Sequence, residues 1–492
     1  MLAWTQEQTI AVNEISVLSP EAFRAAVAQA VEQGARLVAL FAAPKGAVKR
    51  VYAVLAWDGR HLLETVAMEP SLGYPSLTPV CPQAHWFERE LFEIHGITPH
   101  NHPWLKPIRF HERQDGGERP APCVTEYFTV DGPEIHEVAV GPVHAGIIEP
   151  GHFRFQCLGE TVMHLEISLG YQHRGIEAQL AGGPDRRTIH FMETAAGDTT
   201  IGHTWTHCAL VEALAGVTVP ARAQAIRALA LELERLANHT GDVGALALDM
   251  GFLPTSSFCG RLRGDFLNMT ALLCGNRFGR GLVRPGGVAF DVEPERTQEL
   301  LRRLAATVRD VRGAVRLFVE SSMARNRLEG VGALSTGEAV ALGLVGPAAR
   351  ACGVVRDDRW AHPQPGVPHP EGAPATAEGG DLLARAMVRV REIEASAAMV
   401  EQLLRRLPEG PIACPVPPLA PRRLAACLVE AWRGEVCHVA ATDESGRFAW
   451  YKMVDPSFHN WFGLAMVLRG TEISDFPLCN KSFNLSYCGH DL

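Results

Sequence analysis

The spacing of apolar residues changes period several times along the chain. Over residues 20–27, Pro-Glu-Ala-Phe-Arg-Ala-Ala-Val has helical spacing, whereas residues 36–41 and 51–56 are short apolar runs of strand length. An α+β unit is expected there. Residues 86–97 are apolar on one side and acidic on the other, which predicts an amphipathic helix with a solvated acidic face. The Pro- and His-rich residues 98–107, and the charged residues 111–122 with their Gly and Pro, read as loop and linker. A domain boundary is therefore placed near residue 125. Strand patterns return at residues 135–140 and 151–167, after which the chain turns helical. Ile226, Leu229, Leu233 and Leu236 recur at helical spacing within residues 220–239, with Pro220 suited to a first helical turn. Further helices are predicted over residues 297–323 and 382–407, the second ended by Pro408 and Gly410. Between them residues 362–380, dense in Pro, Gly and Ala, read as an exposed flexible loop. After Pro421 the pattern predicts a short helix, strands over 436–441 and 448–454, and an irregular tail. The fold class is thus α+β: a small α+β domain over residues 1–125, then a mainly helical domain over 126–492 with β pieces at both ends.

Composition narrows the function classes. At 492 residues the chain exceeds one hydrophobic core. With 46 basic and 55 acidic residues its formal net charge is -9, which argues against a nucleic-acid partner, since phosphate neutralisation needs a basic surface. The most apolar stretch, residues 339–355, is interrupted by Pro347 and Arg350, so no membrane span is expected. No basic segment followed by an apolar one opens the sequence, so a cytoplasmic location is expected. The 12 cysteines lie singly with no CxxC pair, which is neither a disulfide framework nor a thiolate metal motif. No Gly-x-Gly-x-x-Gly follows a predicted strand, so nucleotide binding by this chain has no support. The histidines of residues 144–173 lack helical ligand spacing and matched cysteines, so no free-standing metal site is expected there.

Two sets of residues carry a family resemblance. Trp86, Glu88, Arg89, Glu90, Glu93, Gly96, His102, Pro103 and Leu105 resemble the signature of the 30-kDa subunit of respiratory complex I, with Asn101 in place of a Gly. That domain packs on the large subunit and carries no cofactor. Residues 141–155 and 169–177 resemble the start of the 49-kDa subunit of complex I, and still more the large subunits of energy-converting [NiFe] hydrogenases such as formate hydrogenlyase. The resemblance continues through Gly275-Asn276-Arg277-Phe278, Arg284-Pro285-Gly286-Gly287, Arg433-Gly434-Glu435 and Pro456-Ser457-Phe458. It spans nearly the whole chain and implies a fused 30-kDa/49-kDa subunit.

The resemblance also marks what has changed. A [NiFe] centre takes four soft thiolates from two CxxC pairs. The early pair aligns with Ala196 and Thr199, in register with His203, and the late pair with Ser486 and Gly489, leaving Cys488 one position off. The His and Tyr that bind a quinone headgroup in the 49-kDa subunit align with Ile148 and Gly197, neither of which offers a side-chain hydrogen bond. A His pair beside the neighbouring iron-sulfur cluster is replaced by Gly279-Arg280. Glu149 matches a glutamate that passes protons in hydrogenases, and with His144, Asp198 and His203 it forms the candidate proton-handling set; the bland reading of Glu149 is a loop carboxylate paired with an Arg. An approach of Cys479 and Cys488 to Cys208 is the alternative to the favoured reading of both as buried, inert thiols.

The resemblance therefore implies an oxidoreductase subunit of a membrane-associated NADH-quinone oxidoreductase or energy-converting-hydrogenase-like complex, without hydrogenase activity or a metal of its own. It implies an iron-sulfur small subunit as the partner that holds the cluster, and antiporter-like and other integral subunits as the link to the inner membrane. Quinone is the candidate small acceptor, and NADH in the family's name describes the assembly. Two alternatives stand beside this reading: a structural scaffold with no redox pocket, and an NAD(P)H- or quinone-linked dehydrogenase subunit.

Overall fold

The structure is a computed structural model that describes residues 1–45, 48–70, 73–111, 121, 125–146 and 148–492. The predicted linker falls largely outside the described residues, as does Cys123. In the N-terminal part, strands Arg36–Lys45, Val48–Trp57 and Leu62–Met68 form an antiparallel meander extended by Leu2–Trp4, and Val17–Leu18 adds in parallel to Leu62–Met68. Helix Pro20–Glu32 begins where Ser19 caps Ala22 N–H and Pro20 opens the first turn, and it buries Phe23, Val27 and Ala30.

Helix His85–His95 departs from its expected setting. Its acidic face is buried, with Glu88, Arg89, Glu90 and Glu93 all inside. Glu88 accepts from Leu77 and Thr78 N–H at 2.7 and 3.0 Å and from the Ser76 and Thr78 hydroxyls at 2.6 Å each. Glu93 accepts from the N–H groups of Ile108, Arg109 and His111. The carboxylates thus organise the loops around the helix.

The remainder opens with a three-stranded sheet, Ile135–Val140, His152–Leu158 and Thr161–Ser168. Helices Ala221–Asp249, Leu253–Cys274, Pro294–Val319 and Leu382–Arg405 pack together as its helical body. The first of these runs ten residues past the predicted end, and Pro220 sits at its N-cap. The single helix expected over 297–323 is two, because Ser321 leaves the helical conformation and caps a new helix, Ser322–Leu328, through Ala324 N–H. Residues 362–380 are irregular but anchored: Gln364 donates to Leu428 O, and the N–H groups of Ala377 and Gly380 donate to Arg350 O and Ala351 O.

The short helix expected after Pro421 is a strand, Arg423–Ala431, paired with Gly434–Thr442, which pairs in turn with Phe448–Val454. This sheet is buried on both faces, so its strands read as continuous apolar runs that periodicity cannot tell from a helix. Ile10–Ala11 from the N-terminal part joins its edge at Arg423–Leu424. The tail is also ordered, as helices Pro456–Val467, Phe476–Phe483 and Tyr487–Asp491. No helix among the described residues is long and apolar enough to cross a membrane.

Candidate functional site

Two distant segments meet beneath the buried sheet, residues 194–203 and residues 484–489. Arginines hold them together. Arg174 donates to Thr194 O, Ala195 O and Cys488 O at 2.6, 2.9 and 3.0 Å. Arg433, on the turn after strand Arg423–Ala431, grips both carboxylate oxygens of Asp198 at 2.6 and 2.7 Å and donates to Thr199 Oγ1 and to Asn484 O. Trp432 Nε1 and Asn238 Nδ2 each donate to Asp198 O at 3.0 Å. The Arg433 side chain is 4% exposed and that of Asp198 32%, so the pair lies at the edge of the buried region. A bidentate pair in this setting fixes geometry as well as charge.

From this turn the chain enters helix Thr200–Ala215, which packs against strand Arg423–Ala431 so closely that a Cβ on Gly202 would meet Ala431 Cβ at 2.8 Å. The N–H groups of Ile201 and Gly202 are satisfied by the buried Glu234 carboxyl at 2.8 and 3.3 Å. Burial, with Asp198 nearby, pushes the Glu234 carboxyl up to about 8 against the pull of those two bonds. His203, one turn into the helix, is fully buried and bonds Asp455 Oδ2 through Nε2 at 2.9 Å and His438 Nε2 through Nδ1 at 3.1 Å.

The four positions aligned with metal ligands can be tested against a [NiFe] centre by their donors. Ala196 is a buried methyl, and the Thr199 hydroxyl is bound by Arg433. Ser486 Oγ caps helix Tyr487–Asp491 by accepting Gly489 N–H at 2.9 Å. Gly489 has no side chain and no room for one, since a Cβ there would lie 2.7 Å from Asp455 Cγ. Cys488 Sγ lies 3.4 Å from Ser486 Oγ, and burial and then the neighbouring Glu149 push its thiol up to about 11, which opposes a thiolate. These residues do not fit a nickel-iron group. Nor do Ile148, half-buried, and Gly197, exposed, offer side-chain partners to a quinone headgroup.

Glu149 is half-buried and accepts Tyr487 N–H at 3.2 Å. It and residues 196–199 therefore touch the same turn, 486–489. His144 faces elsewhere: its Nε2 bonds Gly151 O at 2.8 Å and closes the loop that carries Glu149, as His152 does through Gly141 O. Cys479 packs by Gly332 and Arg385, and Cys208 by Arg227 and Glu212, so these two thiols sit in separate surroundings, each pushed up by burial. Elsewhere, Asp58, Asp358 and His362 bring three potential ligand atoms within 4.8 Å of one another. Arg36 already grips Asp58 there at 2.8 and 2.9 Å.

Sequence reasoning missed Arg433, Glu234, His438, Tyr451 and Asp455. Arg433 lies in one of the stretches that carry the resemblance, Arg433-Gly434-Glu435, and Asp455-Pro456 is a readable N-cap signature. For Glu234, His438 and Tyr451 there was no local signal, because each sits in a continuous buried pattern.

A buried helix-and-sheet junction thus brings an early and a late turn together, the two segments that the resemblance aligns with the large subunits of the hydrogenase and complex I type. The comparisons agree. The family model described as "Respiratory-chain NADH dehydrogenase, 49 Kd subunit" matches residues 249–427, and that described as "Respiratory-chain NADH dehydrogenase, 30 Kd subunit" matches residues 18–120. Formate hydrogenlyase subunit 5 of Escherichia coli is 30% identical over 89% of this chain and 81% of its own length. The carbon monoxide-induced hydrogenase of Rhodospirillum rubrum is 32% identical over 71% of this chain and 97% of its own. A chain in the structure of the membrane-bound sulfane sulfur reductase, an archaeal respiratory membrane complex, superposes with a TM-score of 0.67 at 25% identity, covering 73% of this chain and 99% of that one. The chain belongs to the family of energy-converting hydrogenase large subunits and complex I 49-kDa subunits, with a 30-kDa-type domain at its N-terminal end.

Proposed function

We propose that this chain is the large subunit of a membrane-associated oxidoreductase complex that works without a [NiFe] centre. It docks an iron-sulfur small subunit, and through that redox module couples electron transfer to integral, antiporter-like ion-pumping subunits. It sits on the cytoplasmic side, peripheral to the membrane through those partners. The observation that carries this reading is the donor set at Ala196, Thr199, Ser486 and Gly489: a methyl, two hydroxyls engaged by Arg433 and Gly489 N–H, and a glycine pressed against Asp455. Family membership supports the assembly, while the site supports a different chemistry within it.

Glu149 and Asp198 are the proposed proton-handling carboxylates, one at each segment touching the 486–489 turn. Affinity purification of the tagged chain from solubilised membranes tests the assembly. Co-purification of a cluster-bearing small subunit with integral subunits is expected, and recovery of the chain alone would contradict it. Glu149→Gln and Asp198→Asn then separate this reading from a pure scaffold. Reduced electron transfer or ion pumping in a normally assembled complex supports a working pocket; wild-type rates in both variants favour the scaffold.

A further inference from the structure

Beyond the turn at 486–489, five buried polar side chains form one continuous hydrogen-bonded column. Its links are Asp455 Oδ2 to His203 Nε2 at 2.9 Å, His203 Nδ1 to His438 Nε2 at 3.1 Å, His438 Nδ1 to the Tyr451 hydroxyl at 2.8 Å, and that hydroxyl to His207 Nδ1 at 3.0 Å. None of the five side-chain carriers is more than 5% exposed. Local structure explains the alignment. His203 and His207 lie four apart on helix Thr200–Ala215 and share a face. His438 pairs with Met453 across the sheet, which makes Tyr451 its diagonal neighbour on the same face. Asp455 follows that strand, spends Oδ1 on capping helix Pro456–Val467 through Ser457 N–H, and keeps Oδ2 for His203. The bare Gly489 leaves the space in which the Asp455 carboxyl stands.

The direction of each bond follows from the ends. Asp455 is held below the usual carboxylate range, chiefly by its bond to His203, so it accepts and His203 Nε2 donates. Burial keeps His438 and His207 neutral and Tyr451 a phenol. With His203 neutral, one arrangement satisfies every link: His207 Nδ1–H donates to the Tyr451 oxygen, Tyr451 O–H to His438 Nδ1, and His438 Nε2–H to His203 Nδ1. With His203 protonated on both nitrogens, the same links are satisfied with those three donors reversed. The two arrangements differ by a single proton.

We propose that this column is a proton path, ending at the His203–Asp455 pair and distinct from the Glu149 turn. A proton arriving on His207 Nε2 releases the Nδ1 proton to Tyr451. Tyr451 passes its own to His438 Nδ1, and His438 passes the Nε2 proton to His203 Nδ1. One N–H or O–H bond breaks and one forms at each step, and the positive charge ends on His203 beside ionised Asp455. Tyr451 also lines a cavity of about 350 Å³ between the N-terminal part and the C-terminal sheet, whose wall carries Glu90, Glu177, His173 and Lys452. Lys452 bridges Glu90 and Glu177 at 2.8 and 3.1 Å, so ionisable groups line the same cavity as Tyr451, the link next to His207. Arg433 and Gly489 are the neighbours at the proximal end. The path depends only on this chain's own side chains, not on the docking partners proposed above.

Solvent exchange of imidazole N–H protons, followed by NMR on the full chain labelled with ¹⁵N-histidine, tests it. In the wild type, the His203 and His438 protons are expected to exchange faster than global unfolding allows. In Tyr451→Phe, which removes the one hydroxyl relay, their exchange is expected to slow by roughly tenfold or more while core amide protection is unchanged. An unaltered imidazole rate in a folded Tyr451→Phe protein overturns the proposal. Should that variant fail to fold, the wild type still decides. Imidazole exchange with the same denaturant dependence as the most protected core amides means the column opens only by unfolding, and the path is rejected.

Discussion

Glu234 shows how a single buried group sets the conditions under which the junction of the two segments holds its shape. Its carboxyl receives the first free N–H groups of the helix that carries His203, yet burial, with Asp198 close by, keeps it protonated up to a pH of about 8. An acid whose folded pKa stands above its ordinary value of 4.5 favours the folded state fully below that value, and the contribution fades as pH rises toward 8. Glu234→Gln removes this titration while keeping an acceptor. Urea unfolding between pH 4.5 and 8 is therefore expected to show a flatter dependence of stability on pH in the variant than in the wild type. An unchanged slope would assign the titration to another group. The neighbouring ion pair behaves differently: Arg433 already satisfies both oxygens of Asp198, which fixes the turn at Ala196–Thr199 in place.

Among the elements, helix His85–His95 carries the largest gap between what the pattern suggests and what the fold does. A charged face on a helix ordinarily meets water. Here Glu88 is fully buried because four donors of residues 76–78 converge on it. Glu88→Ala leaves the N–H groups of Leu77 and Thr78 buried without that acceptor, at about 1–3 kcal/mol each, so a loss of about 2–6 kcal/mol in chemical denaturation is expected. A loss below about 1 kcal/mol would mean that water or a shifted loop replaces the carboxylate. The helix itself was legible from its period, as were Pro20–Glu32, the strands at 36–57, the strand character of 151–167, though not its turn into two strands, and the start of Ala221–Asp249. Burial of the acidic face was not, since its partners lie on loops that the helical period does not describe. Strand Arg423–Ala431 was hidden for a related reason: with both faces buried it lacks the alternation that marks a half-exposed strand. At the site, the motifs aligned residues 196–199 and 486–489 with the family's ligand positions, while Arg433 and Asp455, which pack against these segments, emerge only from the structure.

At the scale of the whole molecule, the N-terminal and C-terminal parts are interlocked by buried charge. Arg36 of the first sheet binds Glu435 of the last through two bonds of 2.6 and 3.0 Å, and Glu90 binds Lys452 at 2.8 Å as well as Arg109. Such pairs contribute less to stability than to holding one arrangement, because desolvation offsets much of their attraction. Together with the edge strand Ile10–Ala11, they fix the 30-kDa-type part against the sheet that carries His438 and Tyr451. The family fold thus encloses a packed junction whose polar side chains are hydroxyls, carboxylates, a guanidinium and an imidazole, and the proposed function reads it as a site without nickel. Metal analysis of the purified complex, paired with a hydrogen-uptake assay, tests this most directly. Nickel far below one atom per chain with no hydrogen uptake is the predicted result. Stoichiometric nickel accompanied by hydrogenase activity would contradict it.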